Sequence, residues 1–545
     1  MFKHLSWPIC SLSILFSIAY LILAMYLPVS IYTTASHDAA LFWGNAQQII
    51  AGHWLGTYNN LTLSKGVGFP LFLAMNAVLG IPVTLLLALF YLFACGLLAK
   101  TLIALKINKY YVLFIFVIIL FHPALFPIQI IRDNIYPALS LIVISGVIRA
   151  ILAPQPYDNT LRSVIPYGVA LAWFWLTREE GIWMVPSIIV LLTLKLMQLK
   201  KQNLTFKPVL YRLSCLSVIA IALVNLVAGI NYAYYGKFEA VDFTGSAYAK
   251  ALKSLNSVDV GEDLPYIPVS FTKRQVIYKV SPSFNELYEF FDINKNRWKG
   301  LACGNYPWAC EDYVGGWFDW ALRDAVASQG YYDRPEHAEA FYKRITQEIN
   351  GACEQGLIKC QAHFIPLMPN ISNTQWKQFP SKVLATFNVA RLKKPIKKPD
   401  KPADKKIVKE SSEQSVQLDR VLQFLGYPRT FNALNETNTL VKMTLKIKAT
   451  LYRAYQMIVP NFVILGLSVY FVYFALIVFK HQSITDIFMV STMLWCLFLS
   501  RVVILVLVDI SSFSAINSHY ISAAFPIVCL AAFLSIQLVF VKKHH

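Results

Sequence analysis

The sequence is short of charge, and shorter still of acid. Asp, Glu, Lys and Arg make up 14% of its 545 residues against 56% hydrophobic, and only 30 residues are acidic. An ordinary soluble domain carries about 25% charged residues, so a water-soluble globule is excluded. Nucleotide signatures are also missing. There is no Gly-x-x-x-x-Gly-Lys-Ser/Thr loop and no Gly-x-Gly-x-x-Gly turn after a strand, which argues against an energy-coupled pump and a cytoplasmic nucleotide-sugar transferase. Without a His-Glu-x-x-His pair a zinc protease has no support, and no convincing internal repeat stands out.

What is present is apolar and aromatic. Mean hydropathy is +0.50, with 36 Phe, 29 Tyr and 12 Trp. Single water-facing cores stop growing near about 250 to 300 residues, so these side chains are predicted to face lipid. Ten stretches are apolar enough for membrane helices: 10–32, 82–105, 110–130, 134–153, 164–177, 181–197, 208–235, 456–480, 484–508 and 513–541. The first is read as retained, because Thr33-Thr34-Ala35 is a poor match to a cleavage site. Lys3, Lys100, Lys106, Lys109, Arg149, Arg162, Lys195, Lys200, Lys201, Lys207, Lys480, Lys542 and Lys543 fall on one side of this arrangement. The positive-inside rule makes that side cytoplasmic, with both termini, in a bacterial-type inner (plasma) membrane. The formal charge of +19 is thereby explained by topology, with no nucleic-acid partner.

The extracytoplasmic connections are then 33–81, the turns 131–134 and 177–180, a long loop 236–455, and 509–519. This divides the chain into a seven-span membrane domain 1–235, a soluble domain 236–390, a linker 391–420, a return segment 421–455 and a three-span segment 456–545. The linker carries nine positive charges between Arg391 and Lys409 and no aromatic residue, the composition of a solvated chain. In the soluble domain, apolar positions three and four apart predict amphipathic helices over 317–330 and 336–353. The loop's four cysteines, Cys303, Cys310, Cys353 and Cys360, form two equally spaced pairs and read as two local disulfides of an oxidising compartment. A zinc site is the alternative, but a six-residue gap is wider than zinc knuckles use. The fold class expected is therefore all-α and polytopic, with about ten transmembrane helices and a mainly helical, disulfide-containing extracytoplasmic domain.

The first loop is the most informative segment. His37 and Asp38 stand close behind a membrane helix, where partial desolvation tunes a carboxyl for use as a base or metal ligand. Leu41, Phe42, Ala46, Ile49 and Ile50 then mark one face of a short interfacial helix, and Gly66, Gly68 and Pro70 turn the chain into a second. Cations at the same boundary, Lys65, Arg132 and Arg178, suit a lipid phosphate. Trp43, Trp54 and Tyr58 could stack on a sugar ring or on isoprenes.

An exterior Asp after the first helix, an amphipathic helix, a Gly/Pro turn and many spans together resemble the GT-C superfamily of glycosyltransferases. Its members use sugars carried on polyprenyl or dolichyl phosphate, as the protein O-mannosyltransferases and lipid A aminoarabinose transferases do. The resemblance implies Asp38 as catalytic base or metal-associated carboxylate, with Asp133 of "IIRDN" as a second acidic residue. Arg178-Glu179-Glu180-Gly181 looks like the family's Arg-x-Glu-Gly turn, which brings Glu180 into the site. His519-Tyr520 looks like its late Arg-Tyr motif, with His in place of Arg at the donor phosphate. The expected reaction moves a sugar from polyprenyl phosphate to an envelope glycan, lipid or protein, with a divalent metal ion as the one cofactor to consider.

Plainer readings compete. Asp38 would equally serve as a helix cap, Arg132 and Asp133 as an ion pair of neighbours, and the Trp-rich stretch 315–325 as core packing. Of the rival functions, a transporter would place ionisable groups at mid-membrane, and an envelope assembly protein would work through its exterior domain and tolerate loss of Asp38.

Overall fold

The computed structural model describes residues 7–29, 37–126, 129–152, 163–243, 245–261, 264–361, 368–369, 371–393, 419–427, 438–480 and 482–540, with Glu179 described by its backbone alone. Most of the expected linker 391–420 therefore lies outside the described residues. Among those described the chain is helical, with no β-strand beyond isolated bridges such as Val258 with Cys360. Helix is the structure such a sequence must take in lipid, since every backbone N–H and C=O has to be satisfied within its own segment.

The first part of the chain forms α1 (Trp7–Met25), α2 (Ala39–Ile50), α3 (Gly68–Leu79), α4 (Val83–Ala104), α5 (Lys109–Leu120), α6 (Tyr136–Leu152), α7 (Ile165–Thr177), α8 (Val185–Lys201) and α9 (Lys207–Tyr235). An inserted domain follows, with α10 (Ala247–Ser257), α11 (Phe271–Val280), α12 (Pro282–Asn285), α13 (Arg297–Asn305), α14 (Gly316–Ser328), α15 (Pro335–Glu354), α16 (Asn373–Trp376) and α17 (Phe379–Ala390). The chain closes with α18 (Thr439–Lys480), α19 (Asp486–Ser511) and α20 (Ala524–Gln537).

Among the described residues seven helices are long and apolar enough to cross a membrane: Trp7–Met25, Val83–Ala104, Arg132–Leu152, Glu180–Lys201, Lys207–Tyr235, Thr439–Lys480 and Asp486–Ser511. The protein is an all-α membrane protein. The other three stretches expected to span are α5, α7 and α20, with 12, 13 and 14 residues. At 1.5 Å per residue these rise only about 18 to 21 Å, short of a hydrocarbon core of about 30 Å. Helix α20 is apolar all round and buried from Ala524 to Ser535, packed by α18 and α19, so its partners are other helices. With 42 residues, α18 is twice the length needed to span, and its first turns carry Lys442, Lys446 and Lys448.

The inserted domain has its own core, built on α10, α14 and α15 and centred on Phe284, Phe291, Phe318, Phe341 and Ile345. The predicted amphipathic helices over 317–330 and 336–353 are α14 and α15. The two disulfides are Cys303–Cys310 and Cys353–Cys360.

The domain is tied back to the bundle at several points. Helix α17 packs on α19, Lys382 pairs with Asp509 at 2.7 Å, and Gln375 donates to the Ile510 carbonyl at 2.5 Å. Gly315 adopts φ +46° with its α-carbon so close to Ser512 that an added Cβ would lie 2.2 Å from the Ser512 carbonyl oxygen. Only glycine fits that approach.

Candidate active site

Asp38 occupies the N-cap position of α2, yet its side chain caps no backbone N–H. Its Oδ1 accepts from Lys65 Nζ at 2.7 Å. Lys65 closes the loop between α2 and α3, and its ammonium also lies 5.3 Å from the Phe42 ring and 5.5 Å from the Trp320 ring. The Asp38 side chain is 59% exposed, so desolvation by the surrounding protein pushes its carboxyl up only in part; the charge and hydrogen bond of Lys65, then the charges of Arg132 and Arg178, outweigh it and hold the group below the ordinary carboxylate range. Asp38 is thus an ionised, cation-facing carboxylate at the end of the bundle.

Behind it lies a second charged layer. Arg178 is 1% exposed and is bound by Asp133 and by Glu180 at 2.6 Å. Glu180 is shared with Arg501 of α19 at 3.2 Å, and Arg501 also donates to the Tyr520 carbonyl at 2.6 Å. The Tyr520 ring faces the Arg178 guanidinium at 5.0 Å, and Tyr136 faces both guanidinium groups at 5.7 and 5.6 Å. Asp133 therefore does not pair with its neighbour Arg132; it reaches across to the next turn of the chain. Arg132 stands 5.9 Å from the Phe42 ring and bears electrostatically on Asp38. His519 is half-buried; burial lowers its pKa while Asp133 and Asp38 act to raise it.

The third layer belongs to the inserted domain. Asp324 of α14 accepts from Trp298 Nε1 and Asn60 Nδ2, both at 2.7 Å, and lies 3.4 Å from His37 Nε2. The His37 ring stands edge-on to Trp298 at 4.8 Å and to Trp320 at 5.0 Å, with Arg297 at 2.7 Å from its Nδ1. Next to Asp324, the fully buried Arg323 donates to the carbonyl oxygens of Asn60 and Thr62 and to Asp242. Two consecutive residues of α14 thus grip the strand of loop that delivers Lys65.

Between the first and third layers lies an open cleft of about 580 Å³, lined by His37, Asp38, Lys65 and Tyr520 from the bundle side and by Arg297, Trp298, Trp317 and Trp320 from the inserted domain, with the Asp133, Arg178, Glu180 and Arg501 network outside its lining. Of the residues expected from sequence, the structure gathers His37, Asp38, Lys65, Arg132, Asp133, Arg178, Glu180, His519 and Tyr520 into one neighbourhood. It places Trp43, Trp54 and Tyr58 elsewhere. Trp43 packs on the core of the bundle, Trp54 donates to Asn231 of α9 at 2.7 Å, and Tyr58 stacks on Tyr332 at 5.8 Å beneath the inserted domain. Their places by the cleft are taken by Trp298 and by Trp317 and Trp320, the last two from the stretch 315–325 whose periodicity favoured core packing over a sugar platform. Phe318, Ala321 and Leu322 do form core, while the two flanking tryptophans of α14 line the cleft.

No family model, curated protein or solved structure matches the chain.

The chemistry therefore has to be read from the site itself. Among the described residues Lys65 pairs with Asp38, Arg178 with Asp133 and Glu180, and Arg501 with Glu180, while Arg132 bears electrostatically on Asp38. Among the described residues no three His, Cys, Asp or Glu side chains gather as a metal site, and the three carboxylates each face a cation of the protein. That donor set does not fit a divalent ion without first breaking those pairs. Arg501 was not singled out from sequence, although a lone arginine inside the apolar run 484–508 is costly unless it is used.

Proposed function

We propose that the protein is a GT-C-type membrane glycosyltransferase that moves a sugar from polyprenyl phosphate to an envelope acceptor on the extracytoplasmic face. Its ten-span bundle would include the short apolar helices α5, α7 and α20. The observation that supports this reading is the convergence of an ionised Asp38 and a cation-rich layer, contributed by the first loop, both short turns and the last loop, beneath an aromatic-walled cleft.

In this reading the acceptor hydroxyl or amine attacks the anomeric carbon as its proton passes to Asp38. The bond from that carbon to the phosphate oxygen breaks with inversion, and the electron pair stays on the phosphate. Lys65, Arg132, Arg178 and Arg501 stabilise the charge that builds there, preorganised by Asp133 and Glu180. His519 and Tyr520 border the phosphate, and His37 fixes the entrance to the base.

Purified protein given a panel of polyprenyl-phosphate sugars and an envelope extract should release sugar-free polyprenyl phosphate, detected by mass spectrometry. The Asp38→Asn variant should lose about two to four orders of magnitude in rate, the usual worth of a general base. Equal release by variant and wild type would overturn the assignment of Asp38, and no release from any donor would overturn the transferase reading.

A further inference from the structure

We propose that the inserted domain's wall of the cleft is a carbohydrate-binding subsite, and that the acceptor is therefore a glycan; the word acceptor here rests on the transferase reading above. Trp317 and Trp320 lie three residues apart on α14 and so share one face of that helix. Residues 318, 321, 322 and 325, all 0% exposed, already fill the face that packs on the domain core. The two tryptophans touch that core only from its edge, stay half-buried, and turn their remaining surface to the cleft. Neither indole N–H takes a hydrogen bond among the described residues, and neither is buried. Trp298, by contrast, is buried and locked by its 2.7 Å bond to Asp324, by the His37 ring and by the Arg297 guanidinium 4.4 Å from its ring, and it backs the wall rigidly.

A sugar ring has apolar C–H faces and a rim of hydroxyls. It is held by flat aromatic surfaces together with planar polar groups at their edges, and the cleft supplies both: Asn305 and Arg297 are exposed beside the tryptophans. An extended peptide would need a row of backbone partners, and among the described residues the cleft has no sheet edge to offer. A lipid tail would leave the free indole N–H groups of Trp317 and Trp320 unsatisfied and would have to cover the exposed polar heads of Asn305 and Arg297. The volume of about 580 Å³ lies within the range of small-molecule sites, and Asp38 and Lys65 are among the residues that line it. A hydroxyl of a ring stacked on Trp320 would be directed at the base.

The test uses the full-length protein in lipid nanodiscs, probed with labelled short oligosaccharides (neutral, N-acetylated and anionic) and a matched set of labelled peptides. Wild type should bind at least one oligosaccharide class and no peptide. Trp317→Ala and Trp320→Ala should each weaken that binding by roughly tenfold or more, as expected for a buried aromatic anchor, while Trp320→Phe stays within about threefold. Retention by the Phe variant guards against a folding defect. Absence of oligosaccharide binding in wild type that releases polyprenyl phosphate would overturn the glycan subsite and leave the transferase intact. Tryptophan-dependent binding of peptides would overturn it too, in favour of a protein acceptor. Oligosaccharide capture without donor release would uphold the carbohydrate site and overturn the transferase reading.

Discussion

Asp38 and Lys65 are the two residues whose relation decides how the site behaves with pH. A carboxylate held below its ordinary range by a neighbouring ammonium stays ionised until the pH falls through that depressed value. Base-dependent activity should therefore persist on the acid side past the usual carboxylate pKa, then fall. In Lys65→Met the largest stabiliser of the charged form is gone, so the acid limb of the pH–rate profile should move to higher pH. An unmoved limb would separate Asp38 from the titrating group. At this scale the sequence was informative about residue type and silent about pairing. Asp38, Asp133 and Arg178 could be picked out at membrane boundaries, but Asp133 lies 45 positions from Arg178 and Glu180 lies 321 from Arg501. Nothing local records such pairs. Arg501 alone had a readable signal, its cost inside an apolar run.

Helix α14 shows how one element serves two surfaces. Its core stripe follows from the spacing of Phe318, Ala321, Leu322 and Ala325, so the helix and its boundaries were legible; the function of its other face was not, because tryptophans satisfy a packing pattern as well as a binding one. The helix is positioned by the glycine just before it. Gly315 combines a positive φ with near-contact to the Ser512 backbone, so Gly315→Ala would meet both backbone strain and a clash. The variant should lose more than about 1 kcal/mol of stability and, since α14 carries Asp324 and both cleft tryptophans, should lose transfer activity beyond what its stability predicts. Thermal unfolding measured beside turnover would show it; a neutral variant would mean that the contact with Ser512 does not set the position of α14.

For the molecule as a whole, composition sufficed for the class of architecture, and apolar length located the helices. The stretch 164–177 matches α7 to within a residue, while 110–130 and 513–541 exceed the 12 and 14 residues of α5 and α20; α20 shows why, since a helix buried among other helices is as apolar as one facing lipid and hydropathy does not separate the two. The inserted domain is stabilised differently from the bundle. Each disulfide closes a loop of separation 7, and loops of that size contribute about 2 to 3 kcal/mol by restricting the unfolded chain. Cys303→Ser with Cys310→Ser, and separately Cys353→Ser with Cys360→Ser, should each lower the unfolding transition of the inserted domain by an amount in that range and leave the helical bundle folded. Circular dichroism with limited proteolysis distinguishes the two parts, and coincident loss of both would show that the bundle cannot stand without the domain.

The grip of Arg323 and Asp324 on residues 60–62 bears on how this molecule can be inherited and rebuilt. A module that merely captured acceptors could be exchanged between related chains by cutting at its two ends. Here Lys65 of the cleft hangs from a loop whose carbonyl oxygens are held by the module, so a graft must bring residues 57–65 with it. Lineages that alter one would be forced to alter the other, and paired substitutions between this loop and α14 are where that history should be written.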